Sequence, residues 1–212
     1  MDNKKHSGFM GPVFIVGMPR SGTKLLKDLL NRHSRIALPE IETEFLPYLV
    51  DNLEGSDVLF KYENFAKFYR QAVTWRYFVY QEKKSAVMEC QKWYESCGNY
   101  TAAGIFEALV RHDAGALAKN IIWGDKSPSY IRHINLINDV YPNARFIHII
   151  RDPRDYCLSI RKAWGKNMYR AAQRWRDDVA KCRNEGRQNV GSRYFEFRYE
   201  DLLLDDQVFM IS

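Results

Sequence analysis

A chain of 212 residues, 46% hydrophobic and 27% charged, can close one domain around a substantial core and is too apolar to be a disordered tail. No run reaches the ~20 apolar residues of a membrane span. The short apolar stretch near the start meets Gly11-Pro12 and makes a poor signal peptide, so a cytoplasmic protein with no membrane association is expected. The net charge of +6 favours polyanionic partners, but Lys and Arg are scattered with no continuous basic helix face, which argues against nucleic acid as a partner.

The coarse pattern alternates strand and helix and predicts an α/β fold, a parallel central sheet flanked by helices. Val13 to Val16 reads as a short buried strand, followed by a Gly-containing turn from Gly17 to Gly22. A helix with Leu25, Leu26, Leu29 and Leu30 on one stripe comes next. Ile36 to Leu38 reads as a second strand. Between residues 51 and 119 the texture changes to a helical insertion. Phe65, Phe68, Tyr69, Trp75, Phe78 and Val79 recur there at helical spacing, and a second helical run covers Tyr100 to Leu117. Ile121 to Trp123, Arg145 to Ile150 and Tyr194 to Arg198 complete the strands. The whole chain, 1–212, is read as one domain with its core at about 12–50 and 120–205; the insertion is where an acceptor site would sit. Cys90, Cys97, Cys157 and Cys182 form no CxxC pair and stand beside no His cluster, so reduced thiols and no metal site are expected.

Two segments carry the spacing of anion chemistry. Gly17-Met18-Pro19-Arg20-Ser21-Gly22-Thr23-Lys24 lies between a strand and a helix. A tight turn there points backbone N–H groups inward, and the helix adds its positive N-terminal end. Arg20 and Lys24 supply charge, Ser21 and Thr23 supply hydroxyls, and an ordinary Gly-rich turn is the plainer alternative. Thr23 intrudes between Gly22 and Lys24, which departs from the G-x-x-x-x-G-K-[ST] pattern of nucleoside triphosphatases. In the second segment, Arg151-Asp152-Pro153-Arg154-Asp155, Asp152 suits a helix N-cap and Pro153 the first helical position. Arg151 then stands at a strand end and Ser159 about two turns into the helix, where both can reach one phosphate. A structural ion pair with a cap is the alternative for this segment taken alone.

The two segments together resemble the sulfotransferase family. PRSGT after an apolar strand is similar to that family's 5′-phosphosulfate-binding loop, and YPNARFIHIIRDPRDYCLS to its 3′-phosphate-binding segment. The resemblance implies a P-loop-like sulfotransferase fold and 3′-phosphoadenosine 5′-phosphosulfate (PAPS) as co-substrate, with adenosine 3′,5′-bisphosphate as product and no metal. It places Arg20 beside the transferred group, Ser21, Gly22 and Thr23 on the 5′-phosphate, and Arg151 and Ser159 on the 3′-phosphate. Lys24 stands where relatives usually carry Thr. Glu42-Thr43-Glu44-Phe45 resembles the family's E-T-x-F or E-x-H-F segment, which makes Glu42 the general base for a hydroxyl or amine acceptor and Glu44 its rival. Gly124-Asp125-Lys126-Ser127-Pro128 resembles a segment whose Lys lies near the transferring group, so Lys126 is expected to stabilise charge there. Tyr199-Glu200-Asp201-Leu202-Leu203 matches a further family segment and is taken as structural. Relatives continue beyond the position of Asp206 with a segment that closes over the nucleotide, so that segment is expected to be missing here. The competing expectations are a catalytically inactive nucleotide-binding or scaffold protein and a P-loop kinase using ATP and Mg²⁺.

Overall fold

The structure, a computed structural model, describes residues 9–53, 59–84, 86–118 and 120–204. The expectations about the first residues and about the chain beyond Asp206 lie outside the described residues.

The sheet is built on β1 (Val13–Gly17), whose five residues are all buried. A strand covered on both faces has no solvent side, so it reads as an unbroken apolar run rather than an alternation. After β1 come α1 (Thr23–Leu30), the two-residue β2 (Ile36–Ala37) and α2 (Leu46–Leu53). The insertion continues with α3 (Tyr62–Ala72), α4 (Arg76–Glu82), α5 (Cys90–Ser96) and α6 (Ala102–Asp113). The chain returns to the sheet through β3 (Ile122–Lys126), a 3₁₀ turn (Pro128–Arg132), α7 (Ile134–Val140) and β4 (Arg145–Ile150). It ends with α8 (Pro153–Trp164), α9 (Met168–Glu185), β5 (Tyr194–Arg198) and α10 (Tyr199–Leu204). The five strands are all parallel in the order β2-β3-β1-β4-β5. The chain leaves β1 toward β2 on one side, and later leaves β4 toward β5 on the other. The carboxyl ends of β1 and β4 therefore flank a topological switch point, where open α/β sheets bind ligands.

Alternation along the strands assigns the layers. Phe14 and Val16 join one large cluster with Phe146 and the insertion, while Ile15 and Ile149 face a smaller cluster with Leu26 and Leu202. The insertion packs around the fully buried Trp93, whose ring lies 5.5 Å from Phe78 and 5.7 Å from Phe65 and from Phe68. Its indole N–H donates to Ile105 O at 2.9 Å, so the large apolar body enters the core without an unpaired polar atom. Val79, which the aromatic spacing assigned to this core, is exposed.

Two boundaries and one helix face differ from the sequence expectation. β3 runs three residues past Trp123 because Gly124, Asp125 and Lys126 pair with Val13, Phe14 and Ile15, so polar side chains occupy the strand's last positions. α6 is shorter than Tyr100 to Leu117: Thr101 caps its start by accepting from Gly104 N, and Gly115 turns out of it at φ 68°. On α1, Leu25 is exposed and Lys27 is 3% exposed, its ammonium donating to Glu40 O at 2.9 Å and meeting Asp28 at 3.1 Å. Among the described residues no helix is long and apolar enough to cross a membrane.

Candidate functional site

The loop after β1 closes with Ser21 N donating to Met18 O at 3.1 Å, and α1 begins at Thr23 with Gly22 before it at φ 92°. That angle suits only glycine, and a Cβ there would lie 2.2 Å from the Tyr199 ring. Arg20 sits at φ 70° without being glycine, a conformation that costs about 1–3 kcal/mol and recurs where a loop is held for function.

Register brings the second segment alongside. Gly17 pairs with Ile149, so Arg151 leaves β4 level with the loop. Its guanidinium donates to Arg20 O at 2.9 Å and lies 4.9 Å from the Tyr199 ring centroid. Arg20 Nε in turn donates to Ser159 Oγ at 3.1 Å. The Asp152 cap forms as expected: its Oδ1 accepts from Arg154 N at 2.8 Å, and its carboxyl is held well below the usual range by Arg154. Arg154 is occupied with that carboxylate and points to solvent. Asp152 N donates to Glu200 at 2.9 Å, tying α10 to the same corner.

Two buried donor atoms in this corner, Ser21 Oγ and Arg151 Nε, make no hydrogen bond among the described residues. Each is a donor removed from water without a hydrogen bond, a cost of about 1–3 kcal/mol that a bound anion would cancel. The residues present therefore fit a doubly anionic ligand: backbone and hydroxyl donors at the start of α1, an arginine just before α8 and a serine two turns into it. Lys24 does not join them as a free charge. Its side chain is 77% exposed and pairs along α1 with Asp28 at 2.5 Å.

The opposite wall comes from the segment after β2 and the end of β3. Lys126 Nζ donates to Glu42 Oε1 at 2.5 Å; Lys126 is 5% exposed and Glu42 36%. Glu44 has φ 50° and its carboxylate lies 3.3 Å from Arg76 of α4, so it is engaged with the insertion rather than with Lys126. Beneath them Asp125 is fully buried, and burial pushes its carboxyl up to about 6 despite hydrogen bonds from Thr43 and Ser127.

An open cleft of about 610 Å³ joins the two walls, with Arg20, Thr23, Glu42, Arg151 and Tyr199 among its lining. Ser21 is buried behind this surface, and the half-buried Ser159 accepts from Arg20, which lines it. Tyr199, read from sequence as structural, lines the cleft. Arg132 and Arg174 also line it and share Asp178, Arg132 as a two-point pair at 2.7 and 2.9 Å. Nothing in the spacing of Arg132, Arg174 or Arg76 marks them, because α4, the 3₁₀ turn and α9 meet only in the folded chain.

With this geometry in place, the comparisons are specific. The sequence pattern of the sulfotransferase family matches residues 12–210. An uncharacterised protein of Aquifex aeolicus is 26% identical over 152 residues, 70% of this chain, and the match spans 16% of that relative's length. The sulfotransferase domain from the curacin biosynthetic pathway superposes with a TM-score of 0.58 at 24% identity, covering 96% of this chain and 72% of that one. Sulfotransferase STF9 from Mycobacterium avium gives 0.53 at 20% identity, covering 96% and 62%. At these identities the superpositions speak for the fold.

Proposed function

Because this chain belongs to the sulfotransferase family, we propose that it transfers a sulfuryl group from PAPS to a hydroxyl or amine acceptor, with Glu42 as general base. The observation that supports this reading is that the loop after β1, Arg151 and Glu42 line one cleft, with Lys126 paired to Glu42. PAPS supplies the sulfuryl group and a phosphate leaving group.

The loop from Arg20 to Thr23 holds the 5′ end, and Arg151 with Ser159 holds the 3′-phosphate. This orients the reacting S–O bond toward the Glu42 wall. The acceptor oxygen or nitrogen attacks sulfur in line, the bond from sulfur to the 5′-phosphate oxygen breaks, and the acceptor proton passes to Glu42. Adenosine 3′,5′-bisphosphate leaves with the electron pair. Arg20 and Lys126 neutralise the charge that builds on the transferred and leaving oxygens, the role in which fixed cations contribute most. Once Glu42 holds a proton its attraction for Lys126 falls, and the ammonium is free for those oxygens.

The kinase alternative is disfavoured by Thr23 between Gly22 and Lys24, and by Lys24 being paired with Asp28 rather than free for a phosphate. Calorimetry tests the reading. Adenosine 3′,5′-bisphosphate should bind more tightly than adenosine 5′-phosphate by about 1.5 kcal/mol or more, the scale of a charged hydrogen bond. Arg151→Ala should erase the difference. Equal affinities in the wild-type chain, or tighter binding of ATP with Mg²⁺, would defeat it.

A further inference from the structure

Glu42, which lines the open cleft, and the buried Lys126 come from segments 84 residues apart, and their long side chains meet. Something beneath must fix their separation. Consecutive side chains of a strand point to opposite faces, so Lys126 turns toward Glu42 while Asp125 turns the other way, fully buried. The facing segment does the same, Glu42 partly exposed and Thr43 buried. The two segments are therefore joined by Glu42 to Lys126 on one side and by Thr43 to Asp125 on the other.

The joint at Asp125 has a consistent proton inventory. Thr43 Oγ1 donates its one proton to Asp125 Oδ2 at 2.6 Å, and Ser127 Oγ donates to the same oxygen at 3.0 Å. Thr43 Oγ1 is then an acceptor for the Tyr130 hydroxyl at 3.0 Å and for Phe45 N at 3.3 Å. Ser127 Oγ accepts from Glu44 N at 3.0 Å, and the Tyr130 oxygen from Leu46 N at 3.2 Å. Three successive backbone N–H groups after Thr43 thus end in one buried network headed by Asp125.

Stability alone does not account for this carboxylate. Asp125 Oδ1 is buried with no partner, a cost that an apolar pair of similar volume would avoid. Such a cost is expected where placement matters more than stability, and here the costly group immediately precedes Lys126.

We propose that Thr43 and Asp125 are positioning residues of the transfer site, whose buried hydrogen bond sets the separation of Glu42 and Lys126 without touching either substrate. The role in transfer rests on the function proposed above; the tether itself does not.

The experiment compares Thr43→Val, which keeps shape and loses the proton, with Thr43→Ser, which keeps the hydroxyl. Three quantities are measured on each full chain. These are kcat with radiolabelled PAPS and the best acceptor of a phenol, alcohol and amine panel; the affinity for adenosine 3′,5′-bisphosphate; and the rate of reductive methylation of Lys126, followed by mass spectrometry. Thr43→Val should lower kcat by about tenfold or more, leave nucleotide affinity within about twofold, and speed Lys126 labelling at least about threefold with other lysines unchanged. Thr43→Ser should restore most of each loss. If Thr43→Val does not fold, the Thr43→Ala/Asp125→Ala double variant removes the tether without leaving a carboxylate stranded, and the same expectations apply. Wild-type kcat and labelling in the tether variant, or a Ser variant as damaged as the Val variant, would overturn the proposal. Absence of turnover by the wild-type chain on every acceptor would sink the transfer reading, and the labelling comparison would still decide the tether.

Discussion

Replacing Gly22 with alanine perturbs the phosphate loop in two separable ways. The first is backbone strain: at φ 92° an L-residue sits beyond the usual left-handed well, costing about 1–2 kcal/mol. The second is steric. The added Cβ would lie 2.2 and 2.6 Å from two atoms of the Tyr199 ring, so the ring must move by more than an ångström-scale contact distance allows without repacking, at about 1–3 kcal/mol. The moved ring also leaves the Arg151 guanidinium, a loss of about 0.5–1 kcal/mol. The expected total is about 2.5–6 kcal/mol, read as a lowered urea midpoint at unchanged m. A double-mutant cycle separates the parts: in a Tyr199→Ala background, Gly22→Ala should cost only the backbone share, about 1–2 kcal/mol. An identical cost in both backgrounds would refute the steric half. A cost below about 0.5 kcal/mol in the wild-type background would refute the loop conformation itself.

Glu42→Gln keeps the shape and the acceptor oxygen for Lys126 but cannot take a proton, so turnover should fall roughly 10²-fold or more while nucleotide affinity persists. The same loss from Glu44→Gln, with Glu42→Gln nearly silent, would transfer the base assignment. Burial raises the Asp125 carboxyl to about 6, so the folded state holds its proton where the unfolded state, near 3.8, has released it. Its contribution to stability therefore declines as pH rises from about 4 to 6, by on the order of 3 kcal/mol. His148 is buried against the Tyr194 hydroxyl and pushed down to about 4, so its contribution is lost as pH falls from 6.5 toward 4. The two slopes oppose one another. Urea titrations across this range should show Asp125→Asn gaining on wild type as pH rises and His148→Gln gaining on it as pH falls. Parallel curves for wild type and both variants would contradict these shifts.

Much of the site was legible in the chain because its parts are local. A five-residue apolar run, the turn from Gly17 to Gly22 and the helix starting at Thr23 are specified by neighbours a few positions apart, as is the Asp152 cap with Pro153 behind it. The segments after β1 and β4 therefore read as the strand-to-helix turns they are, and the resemblance pointed to Glu42 and Lys126, which the fold pairs. Tertiary packing decided what those turns face. The strand order put β1 beside β4, which sets Arg20 against Arg151 and Ser159 across more than a hundred residues of sequence. It also carried Tyr199 over Gly22 and turned Lys24 away to Asp28. Lys27 shows the same division most plainly. Its charge and its place beside the leucine stripe of α1 give a surface residue by pattern, yet it is buried because a backbone carbonyl at Glu40 and the Asp28 carboxylate wait for its ammonium. Periodicity reports which face of an element is apolar. Which polar group can be buried depends on partners supplied from distant segments, and those exist only once the sheet is assembled.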